Sequence, residues 1–265
     1  MRKFTPIALI LSMLGTMSPA QSLDGVAQLD VLPGWETRNG THMAGLRITL
    51  APGWKTYWRA AGDAGIPPMF SWAGSENIKA AQFHWPVPDV FHQQGMRSIG
   101  YYEGVVLPVE LTPSIPGIDI HIAGEISIGV CEEICIPMTL AFDAQLPKGG
   151  TRDAAITASL INQPLSANEA GVQNVSCQVD PTESGLLVIA SFTLPVRGTP
   201  AVVIEAGDPY VWVSEPKVTQ SGNQITATSR MVHRDGGGFA LDRSALRITV
   251  IGDNQAVDIQ GCAAG

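Results

Sequence analysis

Long hydrophobic runs are scarce in this 265-residue sequence. Beyond the first twenty residues no 18 apolar residues run together, so nothing there has the ~20-residue length of a membrane-spanning helix. Charge is sparse as well. Only 15% of residues are charged, Lys plus Arg number 16 against 24 Asp plus Glu, and no basic run tracks a phosphate backbone, which excludes nucleic acid as a partner. The motifs G-x-S-x-G and H-E-x-x-H and the P-loop are absent, and with them the usual hydrolase and nucleotide chemistries. No low-complexity segment and no clear repeat interrupts the chain, and no cofactor is expected. What is present is enough to fold: 45% of residues are hydrophobic and the mean hydropathy is +0.14. Gly (28) and Pro (19) are abundant, which favours short strands and turns over long helices.

The opening residues read as a secretory signal. Arg2 and Lys3 precede an apolar stretch from Ile7 to Leu14, and Ser18-Pro19-Ala20 is a small-residue cleavage signal, so residues 1–20 are expected to be cut off after Ala20 and the chain exported. Period-2 stripes then dominate. Leu46, Ile48 and Leu50; Val105, Leu107, Val109 and Leu111; Ile118 to Val130; and Met138 to Leu146 each alternate apolar with polar positions, the mark of strands with one buried face. Without βαβ alternation these form an antiparallel sandwich. Pro147-Lys148-Gly149-Gly150 breaks the pattern, and a helix is expected over Arg152 to Asn162 with Thr151 as its N-cap. Strand patterns resume at Leu186 to Leu194, Asn223 to Val232, Leu246 to Val250 and Val257 to Ile259. The expected division is therefore a mainly β chain with an antiparallel β-sandwich over residues 21–148 and a second, mostly-β domain with an initial short helix over residues 149–265.

The four cysteines allow three connectivities. Spacing makes Cys131 with Cys135, and Cys177 with Cys262, the economical pairing. In the chain-entropy model a loop of ~5 residues gains roughly 2 kcal/mol and one of ~86 residues roughly 4.6 kcal/mol. The long loop reads as a structural staple, and the short one as the bond more easily opened. A straight strand would hold Cys131 and Cys135 roughly 13 Å apart at ~3.3 Å per residue, so the chain must turn between them, in a hairpin loop or one helical turn. Cys131 falls on the face of Ser127 and Gly129, opposite the apolar stripe, and its sulfur is expected to be reachable. Glu132 and Glu133 are like charges to a thiolate and are expected to slow its attack at neutral pH unless a partner screens them; the competing view makes both a solvated turn.

Five stretches carry a resemblance: Gly53 to Arg59, Gly62 to Pro68, His84 to Pro88, Gly100 to Gly104, and Val130-Cys131-Glu132-Glu133-Ile134-Cys135-Ile136-Pro137. Together they resemble the amino-terminal periplasmic domain of the DsbD and ScsB thiol:disulfide interchange proteins. The resemblance implies a periplasmic location, an immunoglobulin-like β-sandwich over residues 21–148, and Cys131 and Cys135 as the redox pair of a thiol-disulfide oxidoreductase. It implies a membrane-embedded thiol:disulfide carrier as electron donor and a periplasmic disulfide-containing protein as acceptor. It also implies a cap loop, for which Asp63 to Trp72, bearing Met69 and Phe70, is the equivalent. The sequence lacks the family's membrane section and thioredoxin-like domain, so the donor is expected to be a separate protein, and its three-residue cysteine spacing is nearer to the ScsB-like branch.

Two other readings compete. Cys131, Cys135 and Met138 offer three sulfur donors of the kind that select Cu(I); if Met138 continues the stripe of Leu140 and Phe142, its sulfur points into the core instead. The Trp residues 35, 54, 58, 72 and 85 with Tyr57, Tyr101 and Tyr102 are enough for an aromatic platform in a non-catalytic binding module.

Overall fold

The computed structural model describes residues 25–265 except 94 and 254; the expected leader lies outside the described residues. The period-2 stripes become strands whose apolar faces meet. In chain order these are β1 (Ala27–Glu36), β2 (His42–Leu50), β3 (Lys55–Tyr57), β4 (Met69–Ser71), β5 (Ile78–Phe83), β6 (Asp89–Gln93), β7 (Met96–Tyr102), β8 (Gly104–Pro113), β9 (Ile120–Cys131) and β10 (Cys135–Leu146). They form two sheets, β1-β2-β8-β5 and β10-β9-β3-β7-β6. Leu46, Leu107, Val109, Ile122, Ile126 and Val130, none more than 1% exposed, fill the space between them. Antiparallel pairing throughout this unit follows from alternation along every strand.

Strand β9 organises the second sheet. One edge pairs along its full length with β10. The other edge is shared by two short strands: β3 takes Val130 and Cys131, and β4 takes Glu125 to Ser127. Residues 58–68, which connect β3 to β4, therefore leave β9 and return to it within a few residues. Thr56 Oγ1 donates to the Gly129 carbonyl (2.9 Å) where β3 departs.

The helix α1 (Ala154–Ile161) is shorter than the expected 152–162. Its N-cap is Asp153, not Thr151, because the Asp153 carboxylate accepts from the N–H groups of both Ala155 (2.7 Å) and Ile156 (3.1 Å), satisfying two of the four donors a helix start leaves open. Packing ties α1 to the first sandwich: Ile156, fully buried, clusters with Leu32 and Met43, and Val87 N–H donates to the Asn162 carbonyl.

The remaining strands are β11 (Leu165–Ser166), β12 (Gln173–Thr182), β13 (Gly185–Thr193), β14 (Ala201–Glu205), β15 (Val211–Val213), β16 (Lys217–Ser221), β17 (Gln224–His233), β18 (Arg247–Ile251), β19 (Ala256–Gln260) and β20 (Ala263–Ala264). They build a second sandwich from the sheets β11-β19-β18-β14 and β15-β17-β13-β12-β20, with β16 on β17. Two short parallel pairings, β11 with β19 and β12 with β20, accompany the antiparallel ones. Phe192, Leu194, Ile225 and Ile248 are among its fully buried core.

The two sandwiches share a buried seam. Trp58 (0% exposed), Ile99 and Tyr101 cluster with Val203, Ile251 and Ala256 of the second unit. Arg59 lies over the Trp58 ring at 3.8 Å and makes a two-pronged contact with Glu205 at 3.1 and 3.0 Å, while its Nη2 also donates to Thr249 Oγ1. Arg97 Nη2 donates to the Val202 carbonyl. Desolvation holds both guanidinium pKa values below their usual range.

Truncating the core should cost what a buried aliphatic costs. Leu46→Ala is expected to lower unfolding free energy by about 2–5 kcal/mol in urea titrations, whereas Ile161→Ala, at a position 80% exposed, should change it by about 0.5 kcal/mol or less.

Candidate functional site

Cys131 ends β9 and Cys135 begins β10, and the two are direct cross-strand partners. The chain turns through a three-residue hairpin loop, Glu132-Glu133-Ile134, and not through a helical turn; the Glu132 N–H donates to the Ile134 carbonyl. The Cα atoms are 4.2 Å apart and the sulfurs are bonded. Directly opposed residues share a face, so the register Cys135, Cys131, Lys55, Tyr102 lays one row across the outer face of the sheet.

The two sulfurs have different surroundings. Cys135 is exposed, but Cys131 is only 1% exposed. The expectation that Cys131 is reachable is therefore corrected: it does lie on the Ser127–Gly129 face, yet that face is covered. Tyr57 and Ala61 bury it, and the Ile66 side chain lies over Gly129, where an added Cβ would come within 2.7 Å of it. Only glycine at 129 lets the cover close. Buried Tyr57 places its hydroxyl 2.7 Å from Cys131 Sγ and 3.1 Å from Cys135 Sγ. Because the sulfurs are bonded they carry no proton, so the hydroxyl donates. Burial raises the Tyr57 pKa, which keeps the donor protonated across the range in which thiols titrate.

The cap over Cys131 is carried by the 58–68 connection, through Ala61 and Ile66, so it overlaps the expected segment Asp63 to Trp72 without using Met69 or Phe70. Phe70 is β4 and turns inward, its ring 4.1 Å from Phe83 and 6.3 Å from Trp85. Met69 takes the outer face opposite Ser127 and is 68% exposed. Glu132 and Glu133 are exposed in the loop. Glu132 borders a pocket of about 430 Å³ that also contains Lys55, Asp89, Phe91, His92 and Tyr102. Lys55, 6% exposed, rests its ammonium 4.9 Å from the Phe91 ring, and burial lowers its pKa. Lys55 is the cross-strand partner of Cys131 and lines the same pocket as Glu132.

The other bond, Cys177–Cys262, spans 85 positions. Cys177 is fully buried in the second core, and Cys262 packs against it. Met138 packs with Ile128 and Leu140, on the face opposite the cysteines. Among the described residues no cluster of three or more His, Cys, Asp or Glu is arranged to hold a metal.

Residues 28–147 match the family described as Thiol:disulfide interchange protein DsbD, N-terminal. The chain is similar to the amino-terminal domain of the DsbD/ScsB family. Its backbone also superposes on a crystal structure of the N-terminal periplasmic domain of ScsB from Proteus mirabilis, with a TM-score of 0.68 and 22% identity, covering 92% of this chain and 96% of that one. This likeness of fold takes in both sandwiches. No curated protein sequence matches the chain. In this DsbD/ScsB-like frame, Tyr57, Ala61, Ile66 and Lys55 are the residues around the disulfide that sequence reasoning missed. Tyr57 and Lys55 lie in one of the stretches that carried the resemblance, and their two-residue spacing was a signal that both share a face; the pairing of β3 with β9 was needed to say which.

Removing the Tyr57 hydroxyl tests its hydrogen bonds. Opening the disulfide leaves a thiolate on Cys131, and a donor to a charged group contributes about 1.5–3 kcal/mol. With about half of that felt in the transition state, Tyr57→Phe should slow reduction of Cys131–Cys135 by dithiothreitol about three- to tenfold, measured by quenched alkylation and mass spectrometry.

Proposed function

We propose that the protein is an exported, periplasmic thiol:disulfide exchange carrier whose redox pair is Cys131 and Cys135, with Cys177–Cys262 a structural bond. The observation that carries this reading is the asymmetry of the pair: one sulfur exposed at the start of an edge strand, the other buried beneath a cap and hydrogen-bonded by Tyr57. A purely structural staple has no need of this. In this reading the redox unit is the first sandwich, with α1 packed on it through Ile156.

The exchange runs in two steps. A thiolate of the donor attacks Cys135 Sγ, forming a mixed disulfide and releasing Cys131 as a thiolate. The donor's second thiolate then attacks its own sulfur in that bond, freeing Cys135 and closing the donor disulfide. Two electrons pass to the pair, and two protons from solvent neutralise it. Toward the acceptor the order reverses: the Cys135 thiolate attacks the acceptor disulfide, and Cys131 attacks Cys135 Sγ, which expels the reduced acceptor. The donor is a membrane-embedded thiol:disulfide carrier, and the acceptor is a periplasmic disulfide protein. Exposed Ile134 (68%), Met69 (68%) and Ile66 (39%) give both an apolar surface on the cysteine face. The copper reading loses its third donor, since Met138 faces the core.

The asymmetry predicts unequal single-cysteine variants. With oxidised glutathione, the reduced Cys131→Ser protein should gain a glutathione adduct at Cys135 at least about tenfold faster than Cys135→Ser gains one at Cys131. Titration of the wild type in glutathione buffers should reduce Cys131–Cys135 while Cys177–Cys262 stays intact. Equal resistance of both bonds to reduction would overturn the carrier reading.

A further inference from the structure

The second sandwich has no part in the exchange described above, yet it touches the cap. Between Ala61 and the second unit lies a short run of contacts. The Ile99 N–H donates to the Ala61 carbonyl (3.0 Å), and the Trp58 N–H donates to the Ile99 carbonyl (2.9 Å), so the root of the cap is sewn to β7. Gly62 has φ +78°, and a Cβ there would fall 2.7 Å from the Arg97 carbonyl, so the chain lies flat on β7 at this point. Arg97 then reaches the other way. Its Nη2 donates to the Val202 carbonyl (3.2 Å), and its Nε lies 3.2 Å from Glu215 Oε1 as an ion pair without hydrogen-bond alignment. Arg59, two residues before Ala61, is held by Glu205. A groove of about 780 Å³ between the sandwiches has the cap residues Ala61, Gly62, Asp63 and Gly65 on one wall and Glu205 to Pro216 on the other.

We propose that the second sandwich fastens the cap, and that Arg97, held by Val202 and Glu215, is the positioning residue that keeps the Ala61–Gly62 stretch of the cap closed over Cys131, Tyr57 staying in place on β3. This rests on the carrier reading for its purpose, but not for its test. A closed cap keeps Cys131 out of water. An unsolvated thiolate is a poor leaving group, so opening of the bond by a small thiol is slow while the fastening holds. Loosening the fastening admits water to Cys131 and quickens opening. The charged and titratable groups bordering this fastening are Asp63 in the cap, Glu205, Asp208, Tyr210, Glu215 and Arg234 from the second unit, and Arg59 beside Trp58; Tyr57 faces the disulfide, with Lys55 opposite Cys131 and Glu132 and Glu133 in the loop between the cysteines.

The test uses the full chain and dithiothreitol, whose two thiols reduce a disulfide and close to a cyclic one. Glu215 is exposed, so Glu215→Gln and Glu215→Lys should both fold; circular dichroism and thermal melting check this. Opening of Cys131–Cys135 should quicken about threefold in Glu215→Gln and about tenfold in Glu215→Lys, where two cations oppose each other. Cys177–Cys262 should keep its wild-type rate in both, and Glu205→Gln should act in the same direction as Glu215→Gln. A merely structural role predicts a different pattern, with both disulfides opening faster together. That result, or an unchanged Cys131–Cys135 rate in Glu215→Lys, overturns the proposal. Neither outcome bears on whether Cys135 forms mixed disulfides, so the fastening and the carrier reading fail separately.

Discussion

The two-sidedness of β9 is the constraint on which the rest of the site depends. Its even positions, Ile122, Ile126, Ile128 and Val130, are locked into the core by apolar burial. That leaves the odd positions, Ser127, Gly129 and Cys131, no choice of face. A slip of β9 by one residue would drive Cys131 inward and expose four apolar side chains at once. The Cys131–Cys135 bond is therefore held on its face by side chains that point away from it. The same register places Lys55 and Tyr57 beside Cys131, because β3 pairs with the last two residues of β9 and nothing beyond.

Much of this was legible in the sequence because alternation is a local signal. Leu46, Ile48 and Leu50 announce their buried face unaided, and so do Val188, Ala190 and Phe192 in the second unit. The hairpin between Cys131 and Cys135 was one of two turns that the cysteine spacing allowed. The cover over Cys131 was not legible. It depends on Tyr57, more than seventy positions away, and on a loop whose course is set by two short strands sharing one edge. Phe70 shows why: an aromatic in a Pro- and Gly-rich segment fits a cap as well as a core, and only the pairing of Phe70 with Ile126 decides for the core. The helix start moved for a simpler reason, since Thr151 and Asp153 are both able caps and the carboxylate reaches two N–H groups.

The aromatic residues that made a binding platform conceivable are mostly spent inside. Trp58 is the keystone of the seam between the sandwiches, Tyr101 donates to the Pro86 carbonyl from a buried site, and Trp72 and Trp85 stack among Phe70, Phe83 and Phe142. Burial drives the Tyr101 pKa well above its usual range. Its hydroxyl is a structural donor at any pH the protein meets. What remains outside is Tyr102, against Phe91 near the disulfide, and in the second unit Tyr210 and Trp212, each about half exposed.

For the carrier proposed above, the closeness of Cys131 and Cys135, 4.2 Å between Cα atoms on facing strands, has a consequence whenever the reduced pair meets an oxidant. A peroxide that reaches the reduced protein meets Cys135 first and converts its thiolate to a sulfenic acid. The neighbouring thiol of Cys131, sheltered from the same oxidant, condenses with that sulfenic acid, expelling water and restoring the disulfide before a second oxidation can reach the irreversible sulfinic state. The burial that hides one sulfur thus gives the other a built-in means of repair.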